Sequence, residues 1–207
     1  MTNDYWKQYV KVIEGTIDEF DDNDAEVILF ALTDDIGGLF SFMKDNLMGV
    51  VRLKDLVEII GHLYYNVACM ELYWDLPPTL YTEFIGSDFE NTTGETNSIY
   101  SIHTRFMLKL GAIGVALQDD NRQAVQVELN ELLQVIYDLC DLVRVNTLTP
   151  LKSSLLEINK IQGPVDTKSS EFKEHTKERS KLIKDLGYTE ILFELLIDNR
   201  KSVPYKG

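Results

Sequence analysis

Apolar residues recur every three or four positions along most of this chain, and the pattern restarts after about seventy residues with the same order of elements. Ala25–Lys44 (AEVILFALTDDIGGLFSFMK) places Val27, Leu29, Phe30, Leu32, Ile36, Leu39, Phe40 and Met43 at that spacing, with Asp24 ahead as an N-cap. A helix turns such a run into one broad buried face. Gly37 and Gly38 each weaken that helix by about 1 kcal/mol relative to alanine, which predicts a helix or ligand approaching closely there. A second helix is predicted from about Leu53 to Tyr73, ending before Asp75-Leu-Pro-Pro78. Gly86–Asn97 (GSDFENTTGETN) reads as a linker. Helical periodicity resumes at Ile99–Leu117, turns at Gln118–Asn121 and continues from about Gln123 to Val145. Pro150 opens a short helix, Leu151–Lys160, and a charged final helix runs from about Ser169 to Arg200.

Laying Asp35 on Lys109, Glu58 on Glu131 and Pro78 on Pro150 gives offsets of 74, 73 and 72 residues. Leu63-Tyr-Tyr65 then falls on Ile136-Tyr-Asp138, and Cys69 lies near the counterpart of Cys140. The fold class expected is all-α: a four-helix bundle from two pseudo-repeated helical hairpins, about 25–85 and 99–162. An acidic N-terminal segment, 1–24, precedes it and a C-terminal helical extension, 163–207, follows.

Charge excludes one class of partner. The 207 residues hold 34 acidic against 20 basic side chains, a net −14, so no basic footprint exists for a phosphate backbone and no direct nucleic-acid binding is expected. Residues 1–100 hold 19 of the acids and 5 of the bases. Asp18–Glu26 (DEFDDNDAE) is either a solvated connector or a patch for a basic protein partner, possible through mimicry of nucleic-acid charge. No run reaches the roughly twenty apolar residues of a membrane span, and the N-terminus has no apolar h-region. Two cysteines inside helical patterns, Cys69 and Cys140, fit buried reduced thiols and a cytoplasmic protein. Near the C-terminus, Ile191–Ile197 (ILFELLI) could pack on the bundle or pair with a second copy as a homodimer; its polar surroundings lack the basic excess of a membrane-binding helix.

Each half opens its second helix with two acids three apart, Asp55-Leu-Val-Glu58 and Glu128-Leu-Asn-Glu131, and i, i+3 spacing sets both on one face. Asp34-Asp35 lies mid-helix on the facing element of the first half. Carboxylates near a bundle interior repel one another unless a cation neutralises them, and an all-oxygen set suits Mg²⁺. The alternative is that these acids lie on the wet edge of each helix. Tyr64, Tyr65, Tyr73, Trp74 and Tyr81 could stack on a base or simply pack. His62, four residues after Glu58, fits a half-buried helix residue better than a metal ligand. No Gly-rich phosphate loop occurs: Gly111-Ala-Ile-Gly114 lies mid-helix.

The texture of the chain over about residues 25–162 resembles the all-α nucleoside triphosphate pyrophosphohydrolases, the MazG-like family. It rests on Ile102-His-Thr-Arg-Phe-Met-Leu108, Gly111–Leu117, Glu128–Tyr137 and Leu155-Leu-Glu-Ile-Asn-Lys160, with Ala31–Gly38 and Glu58–Tyr65 in the corresponding places of the first half. The resemblance implies Mg²⁺ held by an ExxE and an ExxD pair and water attacking a nucleotide; the candidate ligand-binding residues are Asn159, Lys160, Lys109 and Tyr65. The departures are large. ExxE becomes Asp35-x-x-Gly38 and Lys109-x-x-Ala112, and ExxD becomes Glu58-x-x-Gly61 and Glu131-x-x-Gln134. Lys109 sets a cation where the family has a metal ligand. Three functions follow as expectations. The first is a nucleotide- or phosphorylated-ligand-binding protein with a degenerate metal site and weak or no hydrolysis. The second is a Mg²⁺-dependent pyrophosphohydrolase with a composite site of Asp35, Asp55, Glu58, Glu128 and Glu131. The third is an acidic interaction or inhibitor protein on the same scaffold.

Overall fold

The computed structural model describes residues 5–17, 24–46, 53–78, 98–143, 145–161 and 170–186, and it is all-helical over them. Seven helices follow in order: α1 (Tyr5–Glu14), α2 (Asp24–Asn46), α3 (Leu53–Tyr73), α4 (Ile99–Gln118), α5 (Arg122–Leu142), α6 (Leu148–Ile161) and α7 (Ser170–Asp185). The segments Asp18–Asn23, Gly86–Asn97 and Ile191–Ile197, and the side chains of Asn159 and Lys160, lie outside the described residues.

α3 is the helix on which the others converge: α1, α2, α5 and α6 all pack on it. Its sequence explains why. LKDLVEIIGHLYYNVACMELY is apolar around most of its circumference, and Leu56, Val57, Ile60, Leu63, Tyr64, Val67, Ala68, Cys69 and Met70 are all buried. A helix apolar on several sides is stable only when covered on several sides. α4 and α5 form an antiparallel pair across the turn 119–121, where Asp120 takes a left-handed backbone (φ 49°) and the Asn121 side chain caps α5 by accepting from Ala124 N at 3.1 Å. α4 begins on a reciprocal cap between Ser98 and Ser101. α2 packs on both α3 and α4. Pro150 falls inside α6 rather than before it, in the first turn, where no intrahelical N–H is required.

α1 lies within the segment that the charge pattern marks only as an acidic leader. Trp6, Tyr9, Val10, Val12 and Ile13 recur at helical spacing and are buried. Trp6 Nε1 donates to Glu71 Oε2 on α3 at 3.1 Å, which gives a buried carboxylate a donor, and Tyr9 Oη shares a 2.7 Å hydrogen bond with Ser154 Oγ on α6. α1 therefore ties α3 to α6. α7, shorter than the predicted 169–200 over its described length, packs on α1 and α6, with Lys11 and Glu178 paired at 2.8 Å.

Among the glycines inside the described helices, Gly61 is the one against which another helix packs most closely. A Cβ there would stand 2.9 Å from Pro150 O and 3.3 Å from Ser154 N, both backbone atoms of α6. The expectation for the other glycines is corrected: a Cβ at Gly37 or Gly38 meets nothing within 4 Å, so no described helix approaches them. The two cases give opposite outcomes in thermal or urea unfolding. Gly37→Ala should stabilise by about 1 kcal/mol through helix propensity alone. Gly61→Ala should destabilise by about 1–3 kcal/mol despite that gain, because α6 must move away from α3.

Candidate functional site

Four of the acids singled out by the sequence, Asp35, Glu58, Glu128 and Glu131, lie along two polar seams, one within each helix pair. On α3, Lys54, Glu58, His62 and Asn66 follow one another at i, i+4 and form a ladder along the edge beside α2. Lys54 Nζ lies 3.4 Å from Glu58. Asn66 Nδ2 donates to Asp35 Oδ2 at 2.8 Å, and His62 Nδ1 stands 3.7 Å from Asp35 Oδ1. Asp35 comes to this edge because it sits one residue from buried Ile36, and its own side chain is largely buried. The Asp35 carboxylate raises the His62 pKa above its ordinary value; partial burial opposes this, and Glu157 on α6 and Glu58 add to the rise.

The second seam lies between α4 and α5. Lys109 Nζ donates to Glu128 Oε2 at 3.0 Å and is also bonded to Glu131, so one ammonium serves both carboxylates of the i, i+3 pair. Hydrogen bonds to Glu131 and then Glu128 raise the Lys109 pKa. One turn away on α4, Arg105 pairs with Asp138, whose second oxygen accepts from Gln134 Nε2 at 2.9 Å. Gln134, the position where an ExxD motif would carry its acid, thus holds another carboxylate in place.

Asp35 meets His62 and Asn66 at the first seam, where Glu58 lies one turn before His62 on α3; Glu128 and Glu131 are joined at the second by Lys109. Asp55, half-buried in the first turn of α3, joins neither group. Among the described residues no three His, Cys, Asp or Glu side chains stand together so as to hold a metal ion. The residues of the second seam do not fit Mg²⁺, because the Lys109 ammonium already stands between the two carboxylates and would repel the ion. In the first seam an acid at position 61 would drive its Cβ into the α6 backbone.

Tyr65 is half-buried on the same face of α3 as Glu58 and His62, and burial raises its hydroxyl pKa. Cys69, one turn further, and Cys140 are free and buried, and burial pushes both thiols up to about 12, so neither is a nucleophile at neutral pH. His62, Asn66 and Glu157 are the residues that the acid spacing did not bring forward. The i, i+4 relation of Glu58, His62 and Asn66 is visible in the sequence; the arrival of Asp35 and Glu157 is not.

Comparison of the chain with family models, with curated proteins and with solved structures finds no match. No helix among the described residues is long and apolar enough to cross a membrane.

The His62 contact carries a pH dependence whose sign is fixed. A raised folded-state pKa means that the stabilisation is complete below the unfolded-state value of 6.5 and is lost as pH rises through the folded-state value. Wild-type stability minus that of His62→Gln, measured by urea unfolding, should therefore be largest at or below about pH 6 and shrink as pH rises above about 6.5. A difference that grows with pH contradicts the contact.

Proposed function

We propose that this chain is a MazG-like helical binding protein without metal-dependent hydrolysis. In this reading α2–α3 and α4–α5 are the two pseudo-repeated hairpins of a four-helix bundle. A nucleotide or related phosphorylated ligand meets the face that α3 shares with α2 and α6. The observation that carries the loss of hydrolysis is Lys109, bonded to both Glu128 and Glu131. Two-metal phosphate chemistry needs several carboxylates free to hold ions at fixed distances, and here both carboxylates of the pair are already bonded to a lysine of the same chain.

Support for the ligand face comes from its residue types. His62 is exposed and its imidazolium is favoured by Asp35, and Tyr65 offers a ring on the same face. The resemblance adds Asn159 and Lys160 at the end of α6. A second reading, an interaction protein on the same scaffold, is favoured by the apolar outer face of α4, which no described helix covers.

A panel of nucleoside mono-, di- and triphosphates, with and without Mg²⁺, separates these functions. The expected outcome is a rise in melting temperature of roughly 5–10 °C at a hundredfold excess over Kd, with no pyrophosphate released. Pyrophosphate release that depends on Mg²⁺ overturns the non-hydrolytic assignment. A melting curve that no nucleotide moves removes the ligand.

A further inference from the structure

The outward positions of α4 form a stripe without charge. Tyr100, Thr104, Met107, Leu108, Gly111 and Val115 stand opposite the buried Ile102, Phe106, Leu110 and Ile113. Tyr100, Met107, Leu108 and Val115 are 80%, 50%, 65% and 59% exposed. A Cβ at Gly111 meets nothing within 4 Å, and the Thr104 hydroxyl is satisfied inside the helix by Tyr100 O at 3.0 Å. Side chains of this size and exposure present on the order of 500 Å² of mostly apolar surface, the upper end of what a monomer shows. Two such faces meeting bury on the order of 1,000 Å² in total, the least that a specific interface requires.

We propose that this face of α4 is an interface between two copies of the chain, the helices pairing antiparallel about a twofold axis. The charge pattern is the first reason to place a second copy on this face. Two molecules that each carry a net −14 repel, and they approach best where the outward positions are neutral. A basic partner finds nothing to pair with here, because α4 contains no Asp or Glu. Self-complementarity is the second reason. The stripe is symmetric about the point between Met107 and Leu108. An antiparallel twofold pairing therefore sets Tyr100 opposite Val115 of the partner subunit, Thr104 opposite Gly111 of the partner subunit and Met107 opposite Leu108 of the partner subunit. A twofold interface requires such reciprocal contacts, and the Thr–Gly pairs let the backbones come close. This interface is separate from pairing through Ile191–Ile197 and does not depend on the ligand face.

Sedimentation equilibrium of the full chain tests the proposal. Wild type should dimerise, and Leu108→Glu should weaken the dimer by ~100-fold because each dimer loses two apolar anchors. Val115→Lys provides a second variant, and circular dichroism should show unchanged helix content for both. Register is tested by mixing the single variants Thr104→Cys and Gly111→Cys under mild oxidation. Cross-links should form between the unlike variants in preference to like ones, and Cys69 and Cys140 are buried away from the reaction. A chain that stays monomeric at every concentration, its α4 face open or covered by another segment of the same molecule, overturns the proposal. So does a dimer that survives both charge substitutions, or a preference for like-variant cross-links.

Discussion

Carboxylates on the inner edges of packed helices repel one another, and each must meet a cation or a donor before the helices can close. In this protein those partners come from the facing helix. Lys109 reaches from α4 to two glutamates of α5, and Arg105 repeats the arrangement one turn away with Asp138. On the other pair the acid is on α2 and the donors, His62 and Asn66, are on α3. The polarity is reversed between the two seams, yet the outcome is alike: the inward carboxylates of each pair find donors on the facing helix. Such contacts do not supply the bulk of the folding energy. They remove a penalty that would otherwise oppose burial of the apolar faces beside them.

The arrangement around α3 sets what those seams can do. Gly61 lets α6 lie against α3 through its backbone, and Tyr9 and Trp6 bridge from α1 to Ser154 and Glu71. Position 61 thus trades a side chain for proximity. The cost is chemical: a position that a MazG-like site would fill with an acid is occupied by the carbonyl of Pro150. What remains on that face is the His62 imidazole, the Tyr65 phenol and the Asn66 amide beside the Asp35 and Glu58 carboxylates, with no group of three acid, His or Cys side chains among the described residues placed to hold a metal ion.

Much of the helix order was legible because apolar spacing and turn residues agree. Asn121 and Asp120 mark the α4–α5 turn, and the Pro-Pro pair closes off α3. α1 was equally periodic at Trp6, Tyr9 and Ile13, but the acids that follow it drew attention to charge instead. The glycines divided in a way no spacing reveals, since Gly61 and Gly37 differ only in whether another backbone lies outside them. Lys109 was visible as a departure from an acidic motif; that it would bind both Glu128 and Glu131 depended on the register of α4 on α5. Asp35 contacts His62 from α2 and the charge of Glu157 acts on it from α6, and the sequence around His62 carries no local signal of that kind.

The claim that a lysine has taken the place of a metal among these acids is tested most directly by Lys109→Glu, with unfolding followed in the presence and absence of millimolar Mg²⁺. Without the ion the variant should be less stable than wild type by about 1–3 kcal/mol, since three carboxylates then face one another. Mg²⁺ should restore a substantial part of that loss while leaving wild type unchanged. A variant that is as stable as wild type, or one that Mg²⁺ does not help, contradicts the account.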